Sequence, residues 1–225
     1  MTIKAVLFDI DGTLVDSNDM HVLAWEAAFA EIGLHLDRQL IHDQIGKGTD
    51  MLVPALLPGT GQATIDKLRD AHGTVYKDQY LGSARPFPGA RDLLAHAHGR
   101  GQQVVLATSA SQAELDHYLD LLDVRGIVAA TTCGDDVAHS KPAPDIFATA
   151  LGKLAGVKAD QAIVVGDTPY DIAAARKCGI GTVALRSGKF DDHRLRDAIA
   201  IYDDAAALLA DYDTSPLGRV PVFES

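Results

Sequence analysis

Two carboxylates one residue apart, Asp9 and Asp11, stand at the end of the apolar run Ala5-Val6-Leu7-Phe8. Two acids at the carboxyl end of a buried strand are costly unless a cation or a proton joins them. Further polar segments follow other apolar runs. Thr108-Ser109 closes Gln103–Thr108, Ser140-Lys141-Pro142 follows the run before Cys133, and Gly166-Asp167-Thr168-Pro169-Tyr170-Asp171 closes Gln161–Val165. Metal-assisted phosphoryl transfer uses such a set. Carboxylates hold a hard divalent cation, with Mg²⁺ favoured by all-oxygen ligation. A lysine and hydroxyls neutralise and hydrogen-bond phosphate oxygens. Each segment also has a plainer reading. Thr108-Ser109 suits a helix cap, Asp167 and Asp171 could cap the helix after them, and Lys141 alone reads as a surface cation. Their common placement at strand ends favours the chemical reading.

The elements that must position these residues follow from hydrophobic periodicity. Ala5–Phe8 is expected to be a buried parallel strand. Helical patterns cover Met20–Ile32, Arg38–Ile45, Asp50–Leu57 and Ala63–Tyr80, with no strand between residues 19 and 83. From Ala90 the pattern alternates. Helices are expected at Ala90–Arg100, Gln112–Leu122, Ala143–Leu154, Tyr170–Cys178 and Ala205–Ala210, and strands at Gln103–Thr108, Gly126–Thr132, Gln161–Val165, Thr182–Leu185 and Ala198–Tyr202. Alternating strand and helix imply a doubly wound, Rossmann-like parallel α/β sheet, in which ligands bind beyond the carboxyl ends of the strands. The expected division is an α/β core of residues 1–17 and 84–225 with an inserted helical cap of residues 18–83. The segment after Tyr212, with Pro216, Gly218 and Pro221, is expected to be irregular.

A 47% hydrophobic fraction supports a sizeable core, and 23% charged residues argue against general disorder. A net charge of -11 argues against a nucleic-acid or anionic-membrane surface, but leaves room for a small anionic ligand. No apolar run reaches the ~20 residues of a membrane span, and no signal-peptide pattern precedes the first strand. The expectation is a cytoplasmic monomer without membrane or nucleic-acid partners. Cys133 and Cys178 suggest no disulfide framework. The Gly179-x-Gly181 pair precedes a strand and does not fit a dinucleotide loop.

The segments Asp9-Ile10-Asp11-Gly12-Thr13, Thr108-Ser109, Lys141-Pro142, and Gly166-Asp167 with Asp171 occur in the order of four family motifs. With them the sequence resembles the haloacid dehalogenase superfamily, in particular its phosphatase-like branch with a helical cap. The resemblance implies that Asp9 attacks phosphorus to form an aspartyl-phosphate, while Asp11 serves as general acid and then general base. It implies Mg²⁺ bound by Asp9, the Asp11 carbonyl and Asp167, with Asp171 acting through water or by orienting a neighbour. Thr108 and Lys141 would hold the phosphoryl oxygens, with Ser109 helping through its backbone amide.

The insert resembles that of β-phosphoglucomutase and its phosphatase relatives, and such lids exclude water and supply specificity. Hinges are expected near Val15–Asn18 and Gly82–Phe87. His21 and Trp25, four residues apart, share a helix face. Trp25 suits the cap's own core, and His21 the cleft near the hinge. Lys47, between Gly46 and Gly48, could reach an anionic substrate. The resemblance implies a cap arginine shortly after that lysine in mutases. Thr49-Asp50 stands there instead, which favours a phosphatase of a small phosphorylated metabolite over a sugar-phosphate mutase.

Overall fold

The computed structural model describes residues 2–218. Strand β1 (Ala5–Phe8) is apolar throughout because both its faces are covered. Val6 and Phe8 point into one core cluster, and Ala5 and Leu7 into the other. A short strand β2 (Val15–Asp16) leads into helices α1 (Asn18–Ala30), α2 (Arg38–His42), α3 (Thr49–Leu56) and α4 (Gln62–Val75). A π-type turn at Tyr76–Tyr80 and a 3₁₀ turn at Leu81–Ser83 lead to β3 (Arg85–Pro86). There follow α5 (Ala90–Gly99), β4 (Gln103–Ala107), α6 (Gln112–Leu121), β5 (Val128–Thr132), α7 (Asp145–Gly152), β6 (Ala162–Gly166) and α8 (Pro169–Lys177). The described chain ends with β7 (Gly181–Leu185), α9 (Asp192–Leu195), β8 (Ala200–Tyr202) and α10 (Ala205–Ala210).

The main sheet has the order β5-β4-β1-β6-β7-β8, and all its pairings are parallel. Chain order reverses at β1, which lies between β4 and β6, so a crevice opens beyond the carboxyl end of β1. On one face Leu93 and Leu94 of α5, Leu115 and Tyr118 of α6 and Leu208 of α10 pack on Val6, Phe8, Leu106 and Val165. On the other, Ile146 and Phe147 of α7 and Ala174 and Ala175 of α8 pack on Leu7, Val105 and Val164. Burying each large aliphatic or aromatic side chain contributes about 1.5–3 kcal/mol.

The helices between β2 and β3 have a core of their own: Val22, Trp25 and Phe29 of α1, Ile41 of α2, Leu52 and Val53 of α3, and Ile65 and Leu68 of α4. The two connections to this cap lie side by side, because β2 and β3 pair antiparallel, Val15 with Pro86 and Asp16 with Arg85.

Several element bounds differ from the sequence expectation. Helix α7 starts at Asp145 rather than Ala143 because Ala143 precedes Pro144, and a residue before proline is pushed out of helical backbone. The helix expected over Ala63–Tyr80 is α-type only to Val75, and the wider turn begins at Tyr76, whose side chain is fully buried. Strand β5 begins at Val128 because Ile127 is held in a turn by its amide's bond to the Val124 carbonyl. Helix α9 is a single turn capped by Asp191, too short to leave a periodic signal. The tail is irregular to Gly218 yet packed: Leu217 is buried, and its carbonyl accepts from Gln102 Nε2 at 2.9 Å. Residues 219–225 of the expected irregular tail lie outside the described residues.

Candidate active site

The strand ends converge as their spacing predicts. Asp9 follows β1, Asp167 follows β6, and Asp171 lies in the first turn of α8, and all are buried. Carboxylate oxygens of Asp9, Asp167 and Asp171 lie within 4.8 Å of one another. Lys141 reaches them from the loop before α7 with its side chain fully buried, its Nζ 2.8 Å from both Asp9 Oδ1 and Asp171 Oδ1. One lysine against three carboxylates leaves two excess negative charges when all are ionised. Burial therefore pushes the Asp9 carboxyl up to about 7, with Lys141 opposing and Asp171 adding to the rise. Asp167 is raised well above its usual range by burial and then by Asp171 and Asp9. A divalent cation suits this donor set, because it would cancel the excess charge and hold the acids ionised.

Local structure and site share the same side chains here. Asp171 is the third helical residue of α8, and its Oδ2 accepts from Thr168 N (3.1 Å) and Thr168 Oγ1 (2.6 Å) in a capping box. One oxygen of Asp171 thus caps α8, while the other pairs with Lys141. Ser17 sits at the N-cap position of α1 but does not cap it; its hydroxyl donates to Asp11 Oδ1 at 2.6 Å. Asp167 accepts from Thr13 Oγ1 (2.7 Å) and Asn18 Nδ2 (3.0 Å). A Cβ added to Gly12 or Gly188 would come within 2.2 or 2.0 Å of Asp167 Oδ2, so backbone forms the wall around this acid. Thr108, at the tip of β4, is buried, and its Oγ1 accepts from Ala110 N at 3.0 Å.

Asp11 is held differently. Its Oδ1 accepts from Ser17 Oγ, from Tyr118 Oη (2.7 Å) and from His21 Nε2 (3.1 Å). Burial alone would raise this carboxyl, but the His21 charge and the hydrogen bonds from His21, Ser17 and Tyr118 outweigh it and hold Asp11 below the usual range. His21 moves the other way: burial lowers it, and Asp11 overcomes that and raises it. His72, lowered by burial and by His21, stays neutral and accepts from His21 Nδ1 at 3.2 Å. His21 and Asp11 thus form a hydrogen-bonded pair in which each favours the other's charged form, and the pair carries one proton.

Above these groups a cavity of about 580 Å³ lies between core and cap. Asp9, Asp11, Thr108 and Ser109 line its floor, and His21, Trp25, Lys47, Arg69, His72 and Lys77 line the cap side. Trp25 belongs to the cap core as expected and also stacks on His72, ring centroids 4.2 Å apart. Lys47 reaches the cavity, but its Nζ donates to Gln44 Oε1 at 2.5 Å and lies 4.5 Å from the Tyr170 ring centre. The glycines beside it serve close docking. A Cβ on Gly46 would meet Thr168 Cγ2 at 2.6 Å, and one on Gly48 would meet Ser140 Cβ at 2.7 Å. Gly48 N donates to Ser140 Oγ (2.8 Å), Ser140 N donates to Asp50 Oδ2 (3.0 Å), and Ser109 Oγ donates to the Gly46 carbonyl (3.3 Å). The cap loop therefore rests on the segments that carry the core motifs.

Sequence reasoning did not single out Ser17, Thr13, Asn18, Gly188, His72, Tyr118, Arg69 or Lys77. Thr13 closes the first motif, and Ser17 and Asn18 lie just beyond it, so these three carried a signal by proximity. The others come from distant segments without any pattern of their own.

A family model for haloacid dehalogenase-like hydrolases matches residues 3–179, and the chain belongs to that family of enzymes. A phosphoglycolate phosphatase of Rhodospirillum rubrum is 32% identical over 218 residues, which span 91% of this chain and 89% of that protein. The plasmid protein CbbY of Cupriavidus necator is 33% identical over 196 residues, 80% of this chain and 77% of its own. Among solved structures, a hydrolase from Pseudomonas syringae matches with a TM-score of 0.87 at 30% identity, over 95% of this chain and 99% of that one.

Proposed function

We propose that this enzyme is a Mg²⁺-dependent phosphatase that releases phosphate from a small phosphorylated metabolite, acting as a cytoplasmic monomer. The observation that carries the reading is the buried cluster of Asp9, Asp167, Asp171 and Lys141, whose Asp9 opens onto the floor of a cavity roofed by cations. The phosphatase name of the Rhodospirillum rubrum relative supports it. No helix of the described residues is long and apolar enough to cross a membrane, and the enclosed cleft suits a small substrate better than a nucleic acid.

In this reading Asp9, Asp167 and the Asp11 carbonyl hold the cation, which neutralises phosphate charge when bound. A carboxylate oxygen of Asp9 attacks phosphorus; the P–O bond to the alcohol breaks, and the leaving oxygen takes from Asp11 the proton that the His21–Asp11 pair carries. Water then attacks the aspartyl-phosphate, Asp11 accepts its proton, and the P–O bond to Asp9 breaks to release phosphate. Lys141 holds Asp9 and Asp171 in place and, with the Thr108 hydroxyl and the Ser109 amide, steadies the phosphoryl oxygens. His21 holds Asp11, and Lys47 offers charge to the far end of the substrate.

A sugar-phosphate mutase is the second reading. The loop after Lys47 lacks an arginine, but Arg69 of α4 and Lys77 of the following turn face the same cavity, where a distal phosphate would lie. Incubation with β-glucose 1-phosphate and Mg²⁺, alongside a panel of metabolite esters that includes phosphoglycolate, decides between them. Release of free phosphate is expected. Accumulation of glucose 6-phosphate without phosphate release overturns the phosphatase reading.

A further inference from the structure

A closed ring of contacts surrounds Asp11 and joins core to cap. Tyr118 comes from α6 of the core, and its hydroxyl donates to Asp11 Oδ1. Tyr76 comes from the end of the cap, and its hydroxyl lies 2.5 Å from that of Tyr118. Because the single proton of Tyr118 goes to Asp11, Tyr76 is the donor in that second bond. The Tyr76 ring stacks on His21, centroids 3.8 Å apart and planes within 13°, and His21 returns to Asp11 Oδ1. Both tyrosines are fully buried.

Hinge, cap and core thus each supply one donor to the same oxygen. Among the described residues none donates to the other oxygen of Asp11. A carboxylate that is free to rotate could offer either oxygen to the leaving group. Fixing Oδ1 from three directions leaves Oδ2 as the oxygen that carries the proton across.

We propose that Tyr118 is a positioning residue for Asp11, and that Tyr76 makes its hold depend on a seated cap. The inference rests on the phosphatase reading. Opening the cap would remove His21 and Tyr76 together, leaving Asp11 with Ser17 and an unsupported Tyr118. The proton-transfer group would then be aligned only when substrate is enclosed, which limits wasteful attack by solvent.

The test compares leaving groups. An alkyl phosphate needs a proton on its departing oxygen, whereas p-nitrophenyl phosphate releases a stable phenolate without one. The ratio kcat/KM reports the steps up to loss of the alcohol, before the hydrolytic half-reaction contributes. Tyr118→Phe removes one hydroxyl and keeps the ring in its packing site. It is expected to lower kcat/KM about 10–100-fold for the best alkyl ester of the panel, and at most about 3-fold for p-nitrophenyl phosphate. Tyr76→Phe is expected to show the same asymmetry at about 3–10-fold. Equal losses on both esters would reveal a packing role and overturn the inference, as would no loss on either. Thermal unfolding is followed for both variants; should Tyr118→Phe fail to fold, the asymmetry in Tyr76→Phe decides. A wild-type enzyme that hydrolyses neither ester overturns the phosphatase reading and the inference with it, whereas an active wild type with symmetric variants overturns the inference alone.

Discussion

Lys141 beneath the cleft and the cations Arg69 and Lys77 on its roof handle charge in opposite ways. On the floor, Lys141 and the acids around it are out of water, and each is held by short bonds to its neighbours. On the roof, Arg69 is 55% exposed and pairs with Asp66 and Asp70 along its own helix, while Lys77 is exposed. Glycines differ in the same sense. Gly188 on the floor touches Asp167 so closely that a methyl group has no room, whereas a Cβ on Gly73 in the roof meets nothing within 4 Å. Buried, mutually dependent charges fix one geometry and tolerate little change. Exposed, independent ones can change without cost to the fold, since surface ion pairs contribute only about 0–1 kcal/mol. The nucleophile sits among the buried charges, and Arg69 and Lys77, which face the rest of the cavity, are free to vary.

The largest effect expected is at Asp9. Asp9→Asn should lower turnover of the best substrate by about 10⁴-fold or more with the fold intact, since only the nucleophile's charge is lost. Activity near wild type would remove the nucleophile from the floor. Next is Lys141→Met, which leaves Asp9 and Asp171 buried without their cation. A loss of about 3 kcal/mol of stability, measured by denaturant unfolding, is expected, together with severe loss of activity. The matching change in the roof, Arg69→Met, should shift stability by less than about 1 kcal/mol. Equal losses at the two sites would erase the contrast between buried and exposed charge.

Gly188→Ala tests the backbone wall. Its methyl group must displace the Asp167 carboxylate, and Mg²⁺ affinity, read by titration of activity or of thermal stability, is expected to weaken about 10–100-fold. Acidity gives a smaller and graded effect. The folded-state pKa of Asp9, about 7, lies above the unfolded value of 3.8. This acid therefore binds more protons in the folded state between those values, and in chelator the folded state loses stability as pH rises from about 4 to about 7. Mg²⁺ holds the acids ionised and removes that loss. The rise in Tm on adding Mg²⁺ should be larger at pH 7.5 than at pH 5, and a rise that shrinks with pH would show that the cation binds elsewhere. The smallest effect is Gly73→Ala. Alanine in place of this helix glycine is expected to stabilise the enzyme by about 0.5–1 kcal/mol, as seen in urea unfolding, while narrowing the cavity by one methyl group. Destabilisation would mean that the roof is as tightly packed as the floor.

Much of the floor was legible from residue order. Asp9 and Asp11 follow an apolar run that can only be a buried strand, and parallel strands deliver their carboxyl ends to one rim. The roof was legible as helices, but its inward faces were not. Arg69 and Lys77 carry no local pattern that separates them from other helix cations, whereas Lys47 stands out by its flanking glycines. Tyr118 lies in the core beneath α6. Its hydroxyl bond to Asp11 spans 107 positions of sequence and leaves no local trace.

The sequence by itself determined the fold class and the set of groups on the floor, because strand periodicity and the polar residues at strand ends are local properties. Only the tertiary structure decided what holds those groups. It brought Gly12 and Gly188 against Asp167 and set Gly46 and Gly48 on Thr168 and Ser140. It also gave Asp11 a donor from each of hinge, cap and core. Those relations depend on the docking of helices far apart in the chain, where close packing rather than local preference chooses which side chains meet.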